Sequence, residues 1–397
     1  MPTSKTNRFF PYARPDISED DISAVAAVLR SQFLTQGAET PAFEEALAKV
    51  CAVPHAVACS NGTAALHLAY LALGLSPGTT LLTAPITFLA TANAARMTGA
   101  AVAFADVDPA TGHIDPDSVR NALKADPSIT VVAPVHLGGR IADMPALHTI
   151  ATEFGCRIVE DACHALGATY RDSDGTVFPA GSCAHSDVAA FSFHAIKHIA
   201  MGEGGAACTR NPGIADEMAL LRSHGLHRDA ARWEAAPEPD APWYYEMTEL
   251  GWNYRLTDFQ AALGRSQLRR LDENLRRRRA IAERYREALE GVRHLRLPVW
   301  PARPEEHSWH LFPVAIDFAR LGRSRGAVMR ALHARGVGTQ VHYIPLYHQP
   351  YYKASVAAPL PGTEAYYATT LSIPMYPQLE DADIDRIAGA VREELSQ

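Results

Sequence analysis

Residues 191–205 read FSFHAIKHIAMGEGG and place Lys197 between an apolar run and a cluster of glycines. The apolar run has the length of a buried strand, and the glycines allow a tight turn after it. A lysine at the exit of such a strand is desolvated, which lowers the pKa of its amine and favours the neutral form. A neutral amine attacks a carbonyl and forms a Schiff base. Taken alone, however, a single lysine is more often a surface residue.

Segments of strand length alternate with segments of helical period on both sides of this stretch, from about residue 18 to residue 225. This alternation predicts an α/β domain, and the nearly continuous apolarity of the strands predicts that both faces of the sheet are covered. The predicted strands span 55–60, 79–84, 101–107, 129–135, 156–160, 187–192 and 205–209, and the predicted helices span 18–31, 62–74, 87–97, 116–124, 143–154 and 212–223. Ligands are expected where strands meet the starts of helices.

The composition and the pattern of predicted elements change after the α/β region. A Trp- and Pro-rich connection leads into a long helical segment at about 258–291, and short elements bounded by prolines follow. We predict an N-terminal arm at 1–17, a large domain at 18–257, and an interdomain helix with a smaller domain at 258–397. The run RRRRA at 276–280 has acidic neighbours, which favours a solvated helix face over a phosphate or nucleic-acid site.

The composition excludes several classes of partner. The 397 residues carry a formal net charge of -7, so the chain has no general attraction for nucleic acid or anionic lipid. Six cysteines are scattered without C-x-x-C spacing, which is typical of a reducing cytoplasm. The N-terminal residues lack the apolar region of a signal peptide, and the most apolar span is interrupted by Pro85, Asn93, Arg96 and Gly99. We therefore predict a cytoplasmic protein without a membrane segment.

The segment CRIVEDACHALGA, residues 156–168, places Asp161 directly after a buried strand. A carboxylate in that position needs a partner, and the protonated ring nitrogen of a pyridine cofactor is one candidate. His164, three residues later, is a candidate to meet a phenolic oxygen of the same cofactor. A helix N-cap at Asp161 and a structural core histidine at His164 remain alternatives at this point.

The segment ACSNGTAALHLAY, residues 58–70, reads as a strand, a tight polar turn and a helix. Its backbone N–H groups at Gly62 and the hydroxyl of Thr63 form a candidate cradle for a phosphate, and Ser192 is a candidate to add another hydroxyl. Phe88 begins the next predicted helix and is placed to cover one face of a flat ring. A well-capped helix and a plain core phenylalanine are the alternative interpretations of these segments.

Together, these side chains describe a site for pyridoxal phosphate (PLP), because no other common cofactor needs an aldehyde-capturing amine, a ring-nitrogen carboxylate, a stacking face and a phosphate turn. A metal site is the weaker interpretation. His194 and His198 have the spacing of metal ligands on a helix, but no third ligand lies near them in the sequence. No metal is predicted.

The chain resembles the DegT-type sugar-nucleotide aminotransferases, which belong to the fold-type-I PLP enzymes of the aspartate aminotransferase superfamily. The resemblance rests on ordered motifs along the whole chain: SNGTAAL, PITFLATANAA, PVHLGG, EDACHALGA, SFHAIKHIAMGEGG, RSHG, GWNYRLTDFQAALGRSQL and VHYIPLYHQPYY. It implies a large domain with a mixed, mostly parallel sheet flanked by helices, and a smaller C-terminal α+β domain. It also implies PLP as the cofactor, with pyridoxamine phosphate as the intermediate form.

The resemblance assigns roles to single residues. It makes Lys197 the Schiff-base lysine, Asp161 the partner of the pyridinium nitrogen and His164 the contact of the phenolic oxygen. It places Gly62, Thr63 and Ser192 at the phosphate. It also implies a homodimer with shared active sites, in which Asn253 reaches the phosphate of the neighbouring subunit. Two positions depart from the pattern common among relatives, Asn61 in SNGTAAL and Gly138 in PVHLGG.

Finer cues are similar to the members of this family that act in pseudaminic acid biosynthesis. That subgroup transfers an amino group from L-glutamate to C4 of a UDP-linked 4-keto-6-deoxy-N-acetylhexosamine, and the product is a UDP-4-amino-4,6-dideoxy-N-acetyl-β-L-altrosamine. The resemblance implies sugar-nucleotide contacts by Tyr12, Gln32, Phe33, Leu34, Thr35, His342, Tyr343, Ile344 and Pro345. Another UDP- or dTDP-keto sugar, or a non-catalytic regulator on the same fold, are the alternatives.

Overall fold

The computed structural model describes residues 8–235, 240–356 and 358–396. The helices are α1 (Glu19–Leu29), α2 (Glu39–Cys51), α3 (Gly62–Ala72), α4 (Leu89–Met97), α5 (Pro116–Ala125), α6 (Met144–Phe154), α7 (Pro212–Leu221), α8 (Asp258–Arg269), α9 (Leu271–Leu289), α10 (Phe318–Leu321), α11 (Arg325–Ala334), α12 (Pro361–Thr369) and α13 (Asp381–Leu395). The strands are β1 (His55–Cys59), β2 (Thr80–Thr83), β3 (Ala101–Phe104), β4 (Ile129–Ala133), β5 (Arg157–Asp161), β6 (Thr169–Arg171), β7 (Val177–Pro179), β8 (Val188–Ser192), β9 (Gly205–Thr209), β10 (Leu226–His227), β11 (Glu246–Met247), β12 (Leu295–Arg296), β13 (Phe312–Ile316) and β14 (Thr370–Ile373).

A seven-stranded sheet in the order β1-β9-β8-β5-β4-β2-β3 forms the centre of the first two thirds of the chain. The pairs β2–β3, β2–β4, β4–β5 and β5–β8 are parallel, whereas β8–β9 and β1–β9 are antiparallel. Strands β2, β5, β8 and β9 are almost entirely buried, because helices cover both faces of the sheet. The predicted α/β fold with a mixed, mostly parallel sheet is confirmed.

Helix starts in this region follow their capping residues. Ser18 and Asp21 form a reciprocal capping box at the start of α1, and the Asn61 side chain caps α3. Helix α2 lies outside the predicted helices, although Phe43, Leu47 and Cys51 recur at helical spacing and are fully buried.

The C-terminal third builds a second apolar cluster around the sheet β12-β13-β14. Side chains of α9, α11 and α13 pack on this sheet. The N-terminal segment joins the same cluster through Phe10, whose N–H donates to the Gly336 oxygen and whose oxygen accepts from the Gly338 N–H, both at 2.7 Å. The single long helix predicted at about 258–291 is wrong in one respect, since α8 ends and α9 begins around Arg270.

The arginine run of α9 is only in part the solvated face that its composition predicts. Arg277 and Arg284 are partly exposed and form ion pairs with acidic residues of α13. Arg278 is only 2% exposed, and its Nη1 donates to the backbone oxygens of Trp309 at 3.0 Å and Met375 at 3.3 Å. The prediction is therefore wrong for Arg278, which joins α9 to two backbone segments of the C-terminal third. Among the described helices, none is long and apolar enough to cross a membrane.

Candidate active site

A cavity of about 960 Å³ lies at the carboxyl ends of the parallel strands, where the 340–349 segment covers the sheet. Its volume is at the upper end of the roughly 300–1,000 Å³ of small-molecule sites, which leaves room for a cofactor and a second ligand. Most of the residues predicted from the sequence line it: Tyr12, Gly62, Thr63, Phe88, Asp161, His164, Ser192, Lys197, His342, Tyr343 and Ile344. The topology brings them together because parallel strands end at the same edge of the sheet.

Lys197 lies in the turn that follows β8. The turn is closed by hydrogen bonds from Ala195 N–H to the Gly202 oxygen at 3.0 Å and from Met201 N–H to the Phe193 oxygen at 2.9 Å. Gly202 adopts a φ of +76°, which the reversal of the chain requires and which glycine tolerates. Burial lowers the pKa of the Lys197 amine, and the nearby Cys163 and Asp161 offset this effect in part. The amine is therefore disposed to lose its proton and act as a nucleophile.

Asp161 is the last residue of β5, and its carboxylate is held by two donors. The Thr91 hydroxyl donates to Oδ2 at 2.6 Å, and the Cys163 backbone N–H donates to Oδ1 at 3.2 Å. No α-helix begins directly after Asp161 in this described stretch, so the helix N-cap alternative does not apply. The two donors fix the buried carboxylate in the cavity wall, where it can face a cationic ring nitrogen.

Thr91 was not predicted as a site residue. It lies on α4, three residues after Phe88, and it also shares a 2.8 Å hydrogen bond with Thr87. Nothing in the local sequence distinguishes it from the other threonines of the segment, because its role depends on how α4 packs against β5.

His164 is buried and its ring is oriented from both sides. The Gly138 N–H donates to Nδ1 at 3.3 Å, and the Tyr343 hydroxyl lies 3.3 Å from Nε2. Burial, reinforced by the positive charge of Lys197, holds the pKa of His164 well below its ordinary value. The ring is therefore neutral, and because Nδ1 accepts from Gly138, its single proton lies on Nε2. Gly138 adopts a φ of +70°, which glycine tolerates. In this conformation its backbone N–H points at the His164 ring, at a position where the sequence departs from the pattern common among relatives.

The start of α3 forms the predicted anion cradle. The Asn61 Oδ1 accepts from the Ala64 N–H at 2.9 Å, and in the described part of the chain the N–H groups of Gly62 and Thr63 have no protein acceptor. These two N–H groups at a helix N-terminus can bind a phosphate. A Cβ at position 62 would lie only 2.8 Å from the Ser192 Cβ, so glycine allows Ser192 to reach the same place.

The remaining cavity wall carries aromatic side chains. Phe88 precedes the first turn of α4, is 57% exposed, and has its ring centroid 6.2 Å from that of Tyr343. Tyr12 and His342 pack with ring centroids 5.6 Å apart, and His342 Nδ1 lies 2.8 Å from the Ser372 hydroxyl. Ile344 is exposed at the cavity, whereas Pro345 is buried behind it and is not among the lining residues.

Five predicted residues lie away from the cavity of a single chain: Gln32, Phe33, Leu34, Thr35 and Asn253. Phe33 and Leu34 are 60% and 47% exposed, and Thr35 pairs with Thr257 through a backbone bridge. Asn253 is exposed and bridges Ser223. Because Asn253 was assigned to the site of a neighbouring subunit, its position on the surface of one chain leaves that assignment a prediction.

The two histidines that flank Lys197 have different environments. His194 is exposed at the cavity, whereas His198 is buried and its Nε2 lies 3.1 Å from the Ser308 oxygen. Within residues 8–235, 240–356 and 358–396, no group of three or more His, Cys, Asp or Glu side chains has the arrangement of a metal site.

Comparison with known proteins identifies relatives that match nearly the whole chain. Residues 15–392 match the model of the DegT/DnrJ/EryC1/StrS aminotransferase family. The spore coat polysaccharide biosynthesis protein SpsC of Bacillus subtilis is 38% identical over 393 residues, which is 98% of each chain.

Solved structures show the same similarity. Helicobacter pylori PseC, an aminotransferase involved in the biosynthesis of pseudoaminic acid, superposes with a TM-score of 0.88 at 28% identity, over 98% of this chain and 100% of PseC. The PLP form of the putative sugar aminotransferase Spr1654 from Streptococcus pneumoniae has a TM-score of 0.86 at 27% identity, over 98% and 99% of the two chains, and a pyridoxamine phosphate (PMP) form of it is also similar.

Proposed function

The chain belongs to the DegT/DnrJ/EryC1/StrS aminotransferase family and is a PLP-dependent sugar aminotransferase, and from that premise we propose that it transfers the amino group of L-glutamate to C4 of a UDP-linked 4-keto-6-deoxy-N-acetylhexosamine. One observation carries the part of the proposal that concerns the cofactor. A half-buried lysine, a buried aspartate with two fixed donors and a helix N-terminus with two open N–H groups line a single cavity. PLP requires this combination, because each group meets a different end of the cofactor.

The residues present fit PLP as a bound group. Gly62, Thr63 and Ser192 would hold its phosphate, and Asp161 would face its ring nitrogen. Lys197 would hold its aldehyde carbon, and Phe88 would cover one face of its ring. When bound, PLP supplies an electron sink that stabilises negative charge at a substrate carbon.

The protein side chains direct this chemistry through proton placement. The Asp161 carboxylate favours a protonated ring nitrogen, because a buried anion stabilises a nearby cation. The neutral His164 carries its proton on Nε2, which lies 3.3 Å from the Tyr343 hydroxyl, and a phenolic oxygen in the cavity would accept a hydrogen bond from this pair. The amine of Lys197, with its lowered pKa, would be the base. Its Nζ would take a proton from the α-carbon of the amino-acid donor and return the proton to the neighbouring carbon.

The substrate assignment is supported by the size of the cavity and by the relatives. The cavity exceeds what a cofactor alone needs, and Tyr12, Gln340 and Ile344 extend its lining beyond the predicted cofactor contacts. PseC is described as acting in pseudoaminic acid biosynthesis, and its fold covers 98% of this chain. A different nucleotide-linked keto sugar is the second candidate. SpsC shares more sequence identity with this chain than PseC does, at 38% against 28%, and its name refers to spore coat polysaccharide biosynthesis.

A homodimer with shared sites is part of the proposal. Asn253 is exposed, and the segment that precedes it also exposes Trp243, Met247 and Leu250, at 67%, 60% and 72%. An apolar surface of this kind is typical of a subunit interface. A second copy that covers it would bring Asn253 toward the phosphate end of the neighbouring cavity.

The experiment is a two-step assay on the purified holoenzyme. L-glutamate should bleach the yellow absorbance of the bound cofactor and yield 2-oxoglutarate. A panel of UDP- and dTDP-linked 4-keto sugars should then restore the absorbance, and the amine that forms should be identified by its stereochemistry. Restoration by the UDP-linked 4-keto-6-deoxy-N-acetylhexosamine alone supports the specific proposal. Restoration only by another sugar refutes it and leaves the family assignment unchanged.

A further inference from the structure

The buried histidines of the protein differ in how their ring nitrogens are used. Nine histidines are buried in the part of the chain that the structure describes: His67, His113, His136, His164, His185, His198, His307, His310 and His342. Eight of these form a hydrogen bond through a ring nitrogen to a protein group. His310 is the exception, because neither of its ring nitrogens has a hydrogen-bond partner in the described residues; its Nδ1 is shielded from solvent, as is the unpartnered Nε2 of His67. The Nε2 of His310 is not shielded in this way and also lacks a protein partner, so it is the ring nitrogen that a ligand in the cavity can reach.

The position of His310 does not depend on its ring nitrogens. Arg278 Nη1 donates to the Trp309 oxygen at 3.0 Å and lies 3.5 Å from the oxygen of His310 itself. The Leu311 N–H donates to the Gly138 oxygen at 3.1 Å, and the Ser308 N–H donates to the Gly139 oxygen at 2.9 Å. The backbone is therefore fixed on both sides of the residue, so the imidazole is not needed to hold the segment in place.

The imidazole of His310 lines the cavity beside groups already placed in the site. Its ring centroid lies 4.3 Å from that of His164 and 5.5 Å from that of His198. Burial holds the pKa of His310 well below its ordinary value, and the neighbouring His164, Lys197, His198 and Arg278 add to this effect. The ring is therefore neutral and carries one N–H donor and one acceptor.

The cavity has few positive charges to offer an anionic substrate. Among the lining residues in the described chain, Lys197 is the one lysine or arginine, whereas Asp161 and Glu203 are acidic. In the proposed reaction Lys197 first holds the cofactor and then acts as the base, so its amine does not serve as the partner of the α-carboxylate of the amino-acid donor. The donors that this chain itself offers to that carboxylate are therefore uncharged.

We propose that His310 is a substrate-binding residue that donates a ring N–H to the α-carboxylate of the amino-acid donor. The inference rests on the proposed function, because it takes L-glutamate as the donor and Lys197 as the residue that holds the cofactor. It identifies a contact beside His164, on the side of the cavity that the 307–311 segment forms.

The test measures binding of glutarate, a dicarboxylate without an amino group, to the holoenzyme by calorimetry. His310→Phe removes both ring nitrogens and should weaken glutarate binding about 10-fold or more, the range expected for a lost hydrogen bond to a charged group. His310→Asn keeps an N–H donor and should recover part of the affinity. In the bleaching reaction, His310→Phe should raise the KM for L-glutamate much more than it lowers the maximal rate.

Controls distinguish loss of this hydrogen bond from a folding defect and from a general loss of ligand binding. His148→Phe removes an exposed imidazole on α6 and should leave glutarate affinity within about 2-fold. Binding of UDP should also stay within about 2-fold in His310→Phe. His310→Leu is tested in parallel, so that a folding defect of the phenylalanine variant does not leave the proposal untested.

Two results would overturn the proposal. One is a glutarate affinity that is the same in wild type, His310→Phe and His310→Leu. The other is an unchanged affinity together with a shift in the pH at which the cofactor absorbance changes, since His310 would then pair with the Lys197 amine. A wild-type holoenzyme that does not bleach with glutamate refutes the proposed function instead, and that failure is visible before any variant is made.

Discussion

Gly62→Ala is the substitution whose effect the geometry defines most closely. The new Cβ would lie 2.8 Å from the Ser192 Cβ, 3.3 Å from its Oγ and 3.4 Å from the Cys163 Sγ. Carbon atoms in contact prefer about 3.5–4.0 Å, so one of the two elements must move by roughly 1 Å. Helix α3 cannot move away freely, because β9 packs closely against the turn at its start. A Cβ at Gly205 of β9 would lie only 2.3 Å from the Asn61 oxygen.

The consequence is a loss of both stability and cofactor affinity. Overpacking of this kind costs about 1–3 kcal/mol of unfolding free energy. Displacing two N–H groups or the Ser192 hydroxyl from the phosphate removes hydrogen bonds to a charged group, each worth about 1.5–3 kcal/mol. We therefore expect PLP to bind roughly 10- to 150-fold more weakly to the variant.

The assay is a titration of the cofactor-free protein with PLP, followed by absorbance. Gly389→Ala is the matched control, because a Cβ at that position in α13 has no atom within 4 Å. The double variant Gly62→Ala/Ser192→Gly removes the atoms that clash and should regain stability, but it should not regain the full affinity, because it lacks the hydroxyl. Unchanged PLP affinity in Gly62→Ala would refute the assignment of this turn to the phosphate.

Three further variants test Lys197, Thr91 and Arg278. Lys197→Met should abolish bleaching by glutamate, and borohydride reduction should then label no peptide at this position. The pKa of Lys197 is lowered in the folded protein, so the unfolded chain binds more protons below the ordinary lysine pKa, and stability rises with pH. The Tm of the cofactor-free Lys197→Met protein should therefore exceed that of wild type at pH 7, and the difference should shrink toward pH 10. Thr91→Val removes the 2.6 Å donor of Asp161 and should lower the rate of bleaching by about 10-fold at unchanged PLP content, whereas equal rates would contradict the role of Thr91. Arg278→Met leaves the Trp309 and Met375 oxygens unpaired and should lower the unfolding free energy by about 1–3 kcal/mol in urea, with Arg276→Met on the exposed face of α9 as the control.

The sequence predicts those parts of the site that one segment defines by itself. Lys197 follows a buried strand, Asp161 ends one, and Gly62 begins a helix after a strand, so local pattern is enough to select them. Their meeting in one cavity follows from the parallel arrangement of β5 and β8, because parallel strands present their ends at one edge.

The parts that the sequence does not predict depend on contacts between distant segments. Thr91 reaches Asp161 across 70 positions, and Gly138 reaches His164 across 26. The role of Arg278 is hidden by its charged neighbours, because the local composition of α9 cannot show that one arginine points toward buried carbonyl groups. The roles of these residues could be identified only from the folded structure.

The positions of the cavity-lining residues along the chain also determine when the cavity can form during translation. The lining residues run from Tyr12 to Gln349, so the pocket has no closed wall until almost the entire polypeptide has left the ribosome. At translation speeds of roughly 5–20 residues per second, about 7–30 s separate the emergence of Lys197 from that of His342. The full cavity is therefore completed only when translation is nearly finished, although the predicted cofactor contacts from Gly62 to Lys197 leave the ribosome earlier.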